Sequence, residues 1–425
     1  MTTQIELIER NLDVTRVGCK FSRVKALEKQ SFRGRAARAI THGKLGHAST
    51  TDGLSDDDLI NRAIDTAQVD APNNLSFPTA IISSEPLDAS LNQITDSDLR
   101  DMARQIIRTM KRNQADVAIE LEVRRVRETI DLHNNNGGAA HLARAWLEGE
   151  AWVERHAGDE VLVALDSFVT AHVDNSPLEF ARRMARRLRW SNQPIAPRVG
   201  SQSVIFSPSA LASLLAPMLF AFNGAHAFQS NSRGSKRRSG FATKIGKQLF
   251  DQRFSLFDDA TLSDRPHSAP VDHEGTPGQC TALIKDGVVD GFYHDLISAA
   301  QADTRSTGNG YRALIDPPRP SPTNVRIASG DTRLSDMLKH LDEGLLIDLI
   351  GASDSSIGLS GDFSRTIVLA YQIKHGRVVG YTRGASVSGD LYHSLQTIEA
   401  LSCDGYWSSD IFAPYIQLGG VTITV

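Results

Sequence analysis

TALIKDGVVDGFYHD (Thr281 to Asp295) and LAYQIKHGRVVGYTRG (Leu369 to Gly384) carry one pattern, Ile-Lys-x-Gly-x-Val-x-Gly followed by an aromatic residue. In each, an apolar run leads to a two-residue step, Asp286-Gly287 or His375-Gly376, and then resumes. That arrangement predicts a β-hairpin, because a tight two-residue turn needs positive φ and glycine adopts it without steric cost. Two such hairpins in one sheet system make the second half of the chain rich in β structure.

Working outward, apolar residues at Ile5, Leu7, Val14, Val17 and Phe21 predict strands leading to a hairpin turn at His42-Gly43. Ser55 with Asp58 makes a capping-box-like helix start, and Leu59, Ile60, Ala63, Ile64 and Ala67 share one face. A second helix is predicted from about Asp96, with Leu99, Met102, Ile106 and Met110 at helical spacing. Val117, Ile119, Leu121 and Val123 alternate as a half-buried strand does. Asn134 to Gly138 (NNNGG) reads as a turn with another strand pair after it.

SPLEFARRMARRLRW (176–190) predicts a helix with Ser176 as N-cap, Pro177 at its first position and Glu179 closing a capping box. Ala181, Met184, Ala185 and Leu188 face inward, and Arg182, Arg183, Arg186, Arg187 and Arg189 read as a solvated face. Lys236, Arg237 and Arg238 fall in NSRGSKRRSG, which reads as a surface loop. SNQPIAPRVG is the best linker candidate, so the expected division is 1–195 and 196–425. Two more helices are expected in the second half, through Met337, Leu338, Leu341 and Leu345, and through Leu391, Leu395, Ile398 and Leu401.

Composition narrows the function classes. With 425 residues, 40% apolar and 23% charged, the chain is long enough for two domains, and its net charge of -4 gives no reason to expect nucleic acid or an anionic membrane. Three separated cysteines fit a reducing compartment, and the polar start MTTQIELIER lacks a secretory pattern. The expectation is a cytoplasmic protein. No strand-linked GxGxxG, GxxxxGK[ST] or GxSxG occurs. The one His-Glu pair, His273-Glu274, has no further histidine four or five residues on. A non-contiguous zinc site of His226, His267, His273 and Glu274 is one reading, and turn or surface residues the other. SSIGLSGDFSR (355–365) is a glycine-serine loop whose backbone suits an anion or a peptide end, or serves turn geometry alone.

GKLGHASTTD (43–52), the block LFDDATLSDRPHSAPVDHEGTPGQCTALIKDGVVDGFYHDL (256–296), STGNGYR (306–312), GLLIDLIG (344–351), SGDFSR (360–365) and the closing IQLGGVTITV together resemble the TldD/PmbA family, in that family's order. The resemblance covers nearly the whole chain and is strongest after residue 250. It implies an α+β chain of two domains: an N-terminal α+β domain with a mainly antiparallel sheet and a larger β-rich C-terminal domain. It also implies dimers. In the family, TldD subunits carry an HExxxH zinc motif, and PmbA (TldE) subunits lack it and pair with TldD. Together they degrade unfolded peptides or trim peptide precursors; the family name also points to modulation of DNA gyrase.

SLLAPMLFAFNG (213–224) then acquires a meaning. Aligned on Leu214-Leu215, the family's ligand, base and second ligand fall near Ala216, Pro217 and Ala221, and no glutamate or histidine occurs between Ile205 and Gly224. Alanine offers zinc no lone pair and proline accepts no proton. The resemblance therefore implies a non-catalytic PmbA/TldE-like subunit with no cofactor of its own, zinc in an HExxxH-bearing partner subunit, and an unfolded peptide as substrate. A homodimeric binding or regulatory protein is the alternative. Candidate cleft or interface residues are Asp272, His273, Glu274, Gly275, Ser360, Gly361, Asp362 and Arg365. Pro217 is expected to cost a hydrogen bond in a helix begun near Ser209. Cys403, in LSCDGYW, reads as a packed or partly exposed thiol without a ligand role.

Overall fold

The computed structural model describes the chain except residues 1–2, 73–74, 113–115, 158–159, 231–235, 239 and 352–359. Among the described residues the strands form two large sheets, of eight and eleven strands. The first holds β1 (Gln4–Lys20), β2 (Arg23–Thr41), β3 (Lys44–Thr50), β4 (Val69–Asp70), β5 (Ile81–Ser84), β6 (Val117–Asn134), β7 (Ala139–Ala157) and β8 (Glu160–Thr170). Its order is β4-β3-β2-β1-β6-β7-β5, with β8 also pairing to β7. All its pairings are antiparallel except β5 on β7. Helices α1 (Asp56–Asp65) and α2 (Asp96–Lys111) lie between its strands in sequence, and α3 (Ser176–Trp190) follows β8.

The second sheet runs β14-β13-β12-β17-β23-β21-β19-β18-β9, with β20 on β19 and β22 on β23. Its members are β9 (Gly200–Phe206), β12 (Leu256–Asp259), β13 (Cys280–Lys285), β14 (Val288–Val289), β17 (Val325–Ile327), β18 (Glu343–Ile350), β19 (Asp362–Lys374), β20 (Arg377–Thr382), β21 (Ser386–Asp390), β22 (Ile398–Ser408) and β23 (Ile411–Thr424). Small ribbons β10 (Phe228–Ser230) with β11 (Lys236–Arg238), and β15 (Gly310–Tyr311) with β16 (Arg319–Pro320), stand apart. The helices here are α4 (Pro208–Ala221), α5 (Gly224–Ala227), α6 (Leu296–Ala302), α7 (Leu334–His340) and α8 (Leu391–Ser394). None of the described helices is long and apolar enough to cross a membrane.

The α+β class expected from the sequence is the observed one. His42-Gly43, Asp286-Gly287 and His375-Gly376 all take positive φ at both turn residues, and both repeated hairpins lie in the second sheet. Thr95 caps α2 with a full capping box, Thr95 and Asp98 each accepting the other's backbone N–H.

Several local expectations fail, for physical reasons. The N-cap of α3 is Asn175, without a side-chain bond, because Ser176 is already helical and its N–H goes to Asp174 Oδ1. Leu345 lies in β18, and Ile398 and Leu401 lie in β22, so α7 and α8 are one or two turns long. Tertiary pairing overrides a helical spacing that four apolar residues could equally present along a buried strand. The basic run 236–238 forms β11 of a short ribbon; the rest of its loop falls outside the described residues. Arg187 is 4% exposed and Arg183 pairs with Asp166, so the arginine face of α3 is not wholly solvated.

Candidate functional site

Ser207 starts α4 by accepting the Ala210 N–H, while its own N–H and hydroxyl bond to the Ile347 and Asp348 carbonyls. Those bonds fix the helix on β18. Leu211, Leu214, Leu215, Met218 and Leu219 are buried, each stabilising by about 2 kcal/mol through apolar burial. Ser213, Ala216 and Phe220 are exposed and Pro217 is half-buried, a stripe at helical spacing. Of the three positions where the family resemblance leads one to look for a zinc motif, Ala216 and Pro217 fall on this stripe and Ala221 is buried. Pro217 has no N–H to donate to the Ser213 carbonyl.

Ser209 and Ser213 form one wall of a cleft of about 790 Å³ between the two sheets. Leu165 and Trp152 face it from the first sheet, and Leu349, Ile350 and Val368 from the second. Arg16, Lys20, Lys25, Glu28, Glu122 and Glu150 also line it, so its charged lining is mixed in sign. Beneath it lies Arg187. The guanidinium pairs with Asp166 (2.9 Å) and Asp348 (2.7 Å) and donates to Ser209 Oγ (3.1 Å) and the Tyr406 hydroxyl (3.0 Å). Burial alone would lower its pKa, but Asp166 and Asp348 outweigh that and raise it well above the ordinary value. This cluster joins α3, β8, β18, β22 and the start of α4.

A second charge network locks the DHEGTP turn against the first sheet. Arg38 on β2 grips Glu6 with two bonds (2.8 and 2.7 Å) and Glu274 with a third (2.6 Å). Arg312 pairs with Glu6 and donates to the His273 carbonyl (3.1 Å). Arg10 and Arg144 both hold Glu128. Burial would raise the Glu6 carboxyl, but Arg38 and Arg312 hold it below its usual range. Burial, reinforced by Glu274, pushes Asp272 up to about 8, against three N–H bonds from Glu274, Thr276 and Gly310. His273 is kept neutral first by burial and then by Arg144. Both its ring nitrogens face donors, the Arg312 N–H at 3.2 Å and Arg144 Nη2 at 3.3 Å.

The structure separates the candidate residues into different settings. His273 and Glu274 are buried, and Asp272 and His273 line a smaller cavity of about 270 Å³ with His267 and Tyr311. Gly275 turns the chain at φ +79°. Gly361 (φ +94°) leads into β19 and accepts the Leu391 N–H; Ser360 and Asp362 are exposed, and Arg365 is buried on β19. The upstream part of that loop, including Ser355 and Gly358, lies outside the described residues. The four-residue zinc reading is overturned. His226 is exposed against Phe220, His267 pairs with Asp410, His273 sits between arginines and Glu274 is held by Arg38. Among the described residues no three His, Cys, Asp or Glu side chains are placed to hold a metal ion. The α4 stripe, made of serine, alanine, proline and phenylalanine, does not fit zinc either.

Sequence reasoning missed Arg187, Arg10, Arg38, Arg144 and Arg312. Two signals were available: Arg187 stands three residues after the inward Met184, and Glu6 and Arg10 share the strand face of buried Ile8 along β1.

Residues 199–425, just over half of the chain, match the family described as the PmbA/TldA metallopeptidase C-terminal domain. The chain is 31% identical over 168 residues to a protein named metalloprotease TldD homolog of Haemophilus influenzae, covering 39% of this chain and 35% of that one. It is 27% identical over 212 residues to the protein named metalloprotease PmbA of Escherichia coli O157:H7, covering 47% and 43%. Both matches thus span less than half of the relative's length. The solved structure of TldE from Thermococcus kodakarensis superposes with a TM-score of 0.87 at 20% identity, over 99% of this chain and 97% of that one. At that identity the likeness speaks to fold.

Proposed function

The chain belongs to the family of the PmbA/TldA metallopeptidase C-terminal domain, and from that premise we propose that it is a non-catalytic, TldE-like subunit of a peptidase whose zinc sits in a TldD-like partner. One observation carries the reading: α4 borders the 790 Å³ cleft with Ser209 and Ser213 and continues its open stripe through Ala216 and Pro217, and none of these offers zinc an imidazole, thiolate or carboxylate or takes a proton from a metal-bound water. What this chain supplies is a walled cleft. Its apolar floor and mixed-charge lining suit an unfolded peptide of varied sequence, held mainly through its main chain.

The test is elemental analysis of the purified chain, run beside cleavage of an unfolded peptide with and without an HExxxH-bearing paralogue. Cleavage in the mixture alone, with substoichiometric zinc in this chain, supports the reading. Stoichiometric zinc and cleavage by this chain alone overturn it.

A further inference from the structure

We propose that a gap in the first sheet, between the ends of β5 and β8, is a docking site for an extended peptide segment that pairs with the free edge of β7. The proposal rests on the reading of this chain as a subunit that handles unfolded peptides, and it places a second point of contact away from the α4 cleft.

The topology creates the gap. β5 pairs with Ala139 to Leu142 of β7, and β8 pairs with β7 from Leu147 onward. Between them, Ala143 to Trp146 are paired, among the described residues, on the β6 side alone. The Ala139 N–H donates outward to the Ala80 carbonyl (2.9 Å), and backbone direction alternates along a strand. The N–H and C=O of Ala145 therefore point to that same outer side. Among the described residues neither a neighbouring strand nor a loop backbone hydrogen-bonds to them there. Ala145 is 3% exposed, and a buried backbone amide without a partner is rare.

A cavity of about 350 Å³ opens against this edge. Ala143 and Ala145 form its floor, Ser84 and Ala171 mark the two flanking strand ends, and Leu262 and Pro270 stand opposite. The five steps from Leu142 to Leu147 span about 16 Å at strand rise, room for three or four extended residues. Small apolar walls fit alanine- or valine-sized side chains, while the edge supplies main-chain bonds without regard to sequence.

The probe is a fluorescein-labelled, acetylated and amidated octapeptide of alanine, valine and one lysine, followed by fluorescence anisotropy on the full chain. Ala143→Trp, on the floor, and Leu262→Trp, on the facing loop, each fill the cavity; two variants guard against one failing to fold, checked by circular dichroism. The expected result is affinity weakened at least tenfold by either folded variant and by N-methylating alternate peptide residues, with Ser335→Trp on the exposed side of α7 leaving it unchanged. Unchanged affinity in the folded cavity variants, indifference to N-methylation, or no binding overturns the site. Loss with Ser213→Trp but not with Ala143→Trp moves the peptide to the α4 cleft, overturning the gap site while sparing the subunit reading. Gap binding that persists while the paralogue mixture fails to cleave overturns the subunit reading alone.

Discussion

Replacing Arg38 with methionine tests whether the buried network fastens the second half to the first sheet. Arg38 is 1% exposed and makes three hydrogen bonds of 2.6–2.8 Å to Glu6 and Glu274, which are 1% and 0% exposed. Methionine keeps the packing over Phe77 but leaves Glu6 with Arg312 and Glu274 with the Leu296 N–H. Removing one partner of a buried ion pair costs about 3–5 kcal/mol. The sign with pH follows from Glu6. In the native protein its folded pKa lies below the ordinary value, so its contribution is present above that value and is lost as pH falls through the folded pKa. Without Arg38, burial is expected to outweigh the remaining Arg312 and push the carboxyl up, so charge on Glu6 then costs stability above the unfolded pKa. The deficit of Arg38→Met is therefore expected to be largest near pH 7 and to shrink toward pH 4. Urea unfolding of both proteins at four pH values measures it. A deficit below about 1 kcal/mol at pH 7, or one independent of pH, refutes the network as a fastening.

Arg187→Ala is expected to cost a further 3–5 kcal/mol or so, because Asp166 and Asp348 lose a shared buried partner; urea midpoints check it. Gly310→Ala places a Cβ 2.3 Å from Glu274 Oε2, and overpacking should cost about 1–3 kcal/mol, read as a lowered Tm. Pro217→Ala restores a helix donor for Ser213 O and should raise Tm, the gain of about 1–2 kcal/mol being what remains after the unfolded chain regains freedom. Ser213→Trp should abolish cleavage in the paralogue mixture while leaving Tm within about 2 °C, since Ser213 is exposed on the cleft wall.

What was legible in the sequence was local. Turn glycines, the Ser55-Asp58 cap and strand alternation are set by neighbours along the chain, and each appears where its chemistry requires. Leu345, Ile398 and Leu401 mark the limit. Their i, i+3 and i+4 spacing suits a helix face, but pairing with β9, β19 and β23 supplies backbone bonds that a short helix could not match. The α4 segment is picked out by its family resemblance together with the lack of any glutamate or histidine between Ile205 and Gly224, whereas its exposed stripe needs the fold. Arg38 with Glu274 is separated by 236 residues, and no pattern along the chain announces such a pair.

The same long-range contacts bear on how a helix without zinc ligands can matter on the proposed function. One core cluster mixes Val17, Leu121 and Phe180 with Ile205, Leu346, Leu369 and Tyr371, so the two halves share apolar interior across the cleft. Arg187 pins the wall at Asp166 and Asp348 together, while Arg38 and Arg312 fasten the far side. A hinge would need these buried ions parted, at a cost comparable to much of a domain's stability. The cleft is thus preformed. A subunit that offers shape and backbone edges to a disordered substrate gains from that rigidity, because the peptide alone then bears the ordering entropy. Loosening the walls by Arg187→Ala should therefore raise the KM of the paralogue mixture more than it lowers kcat. An equal fall in kcat with KM unchanged would show that the walls serve the chemistry in the partner and not the hold on the peptide.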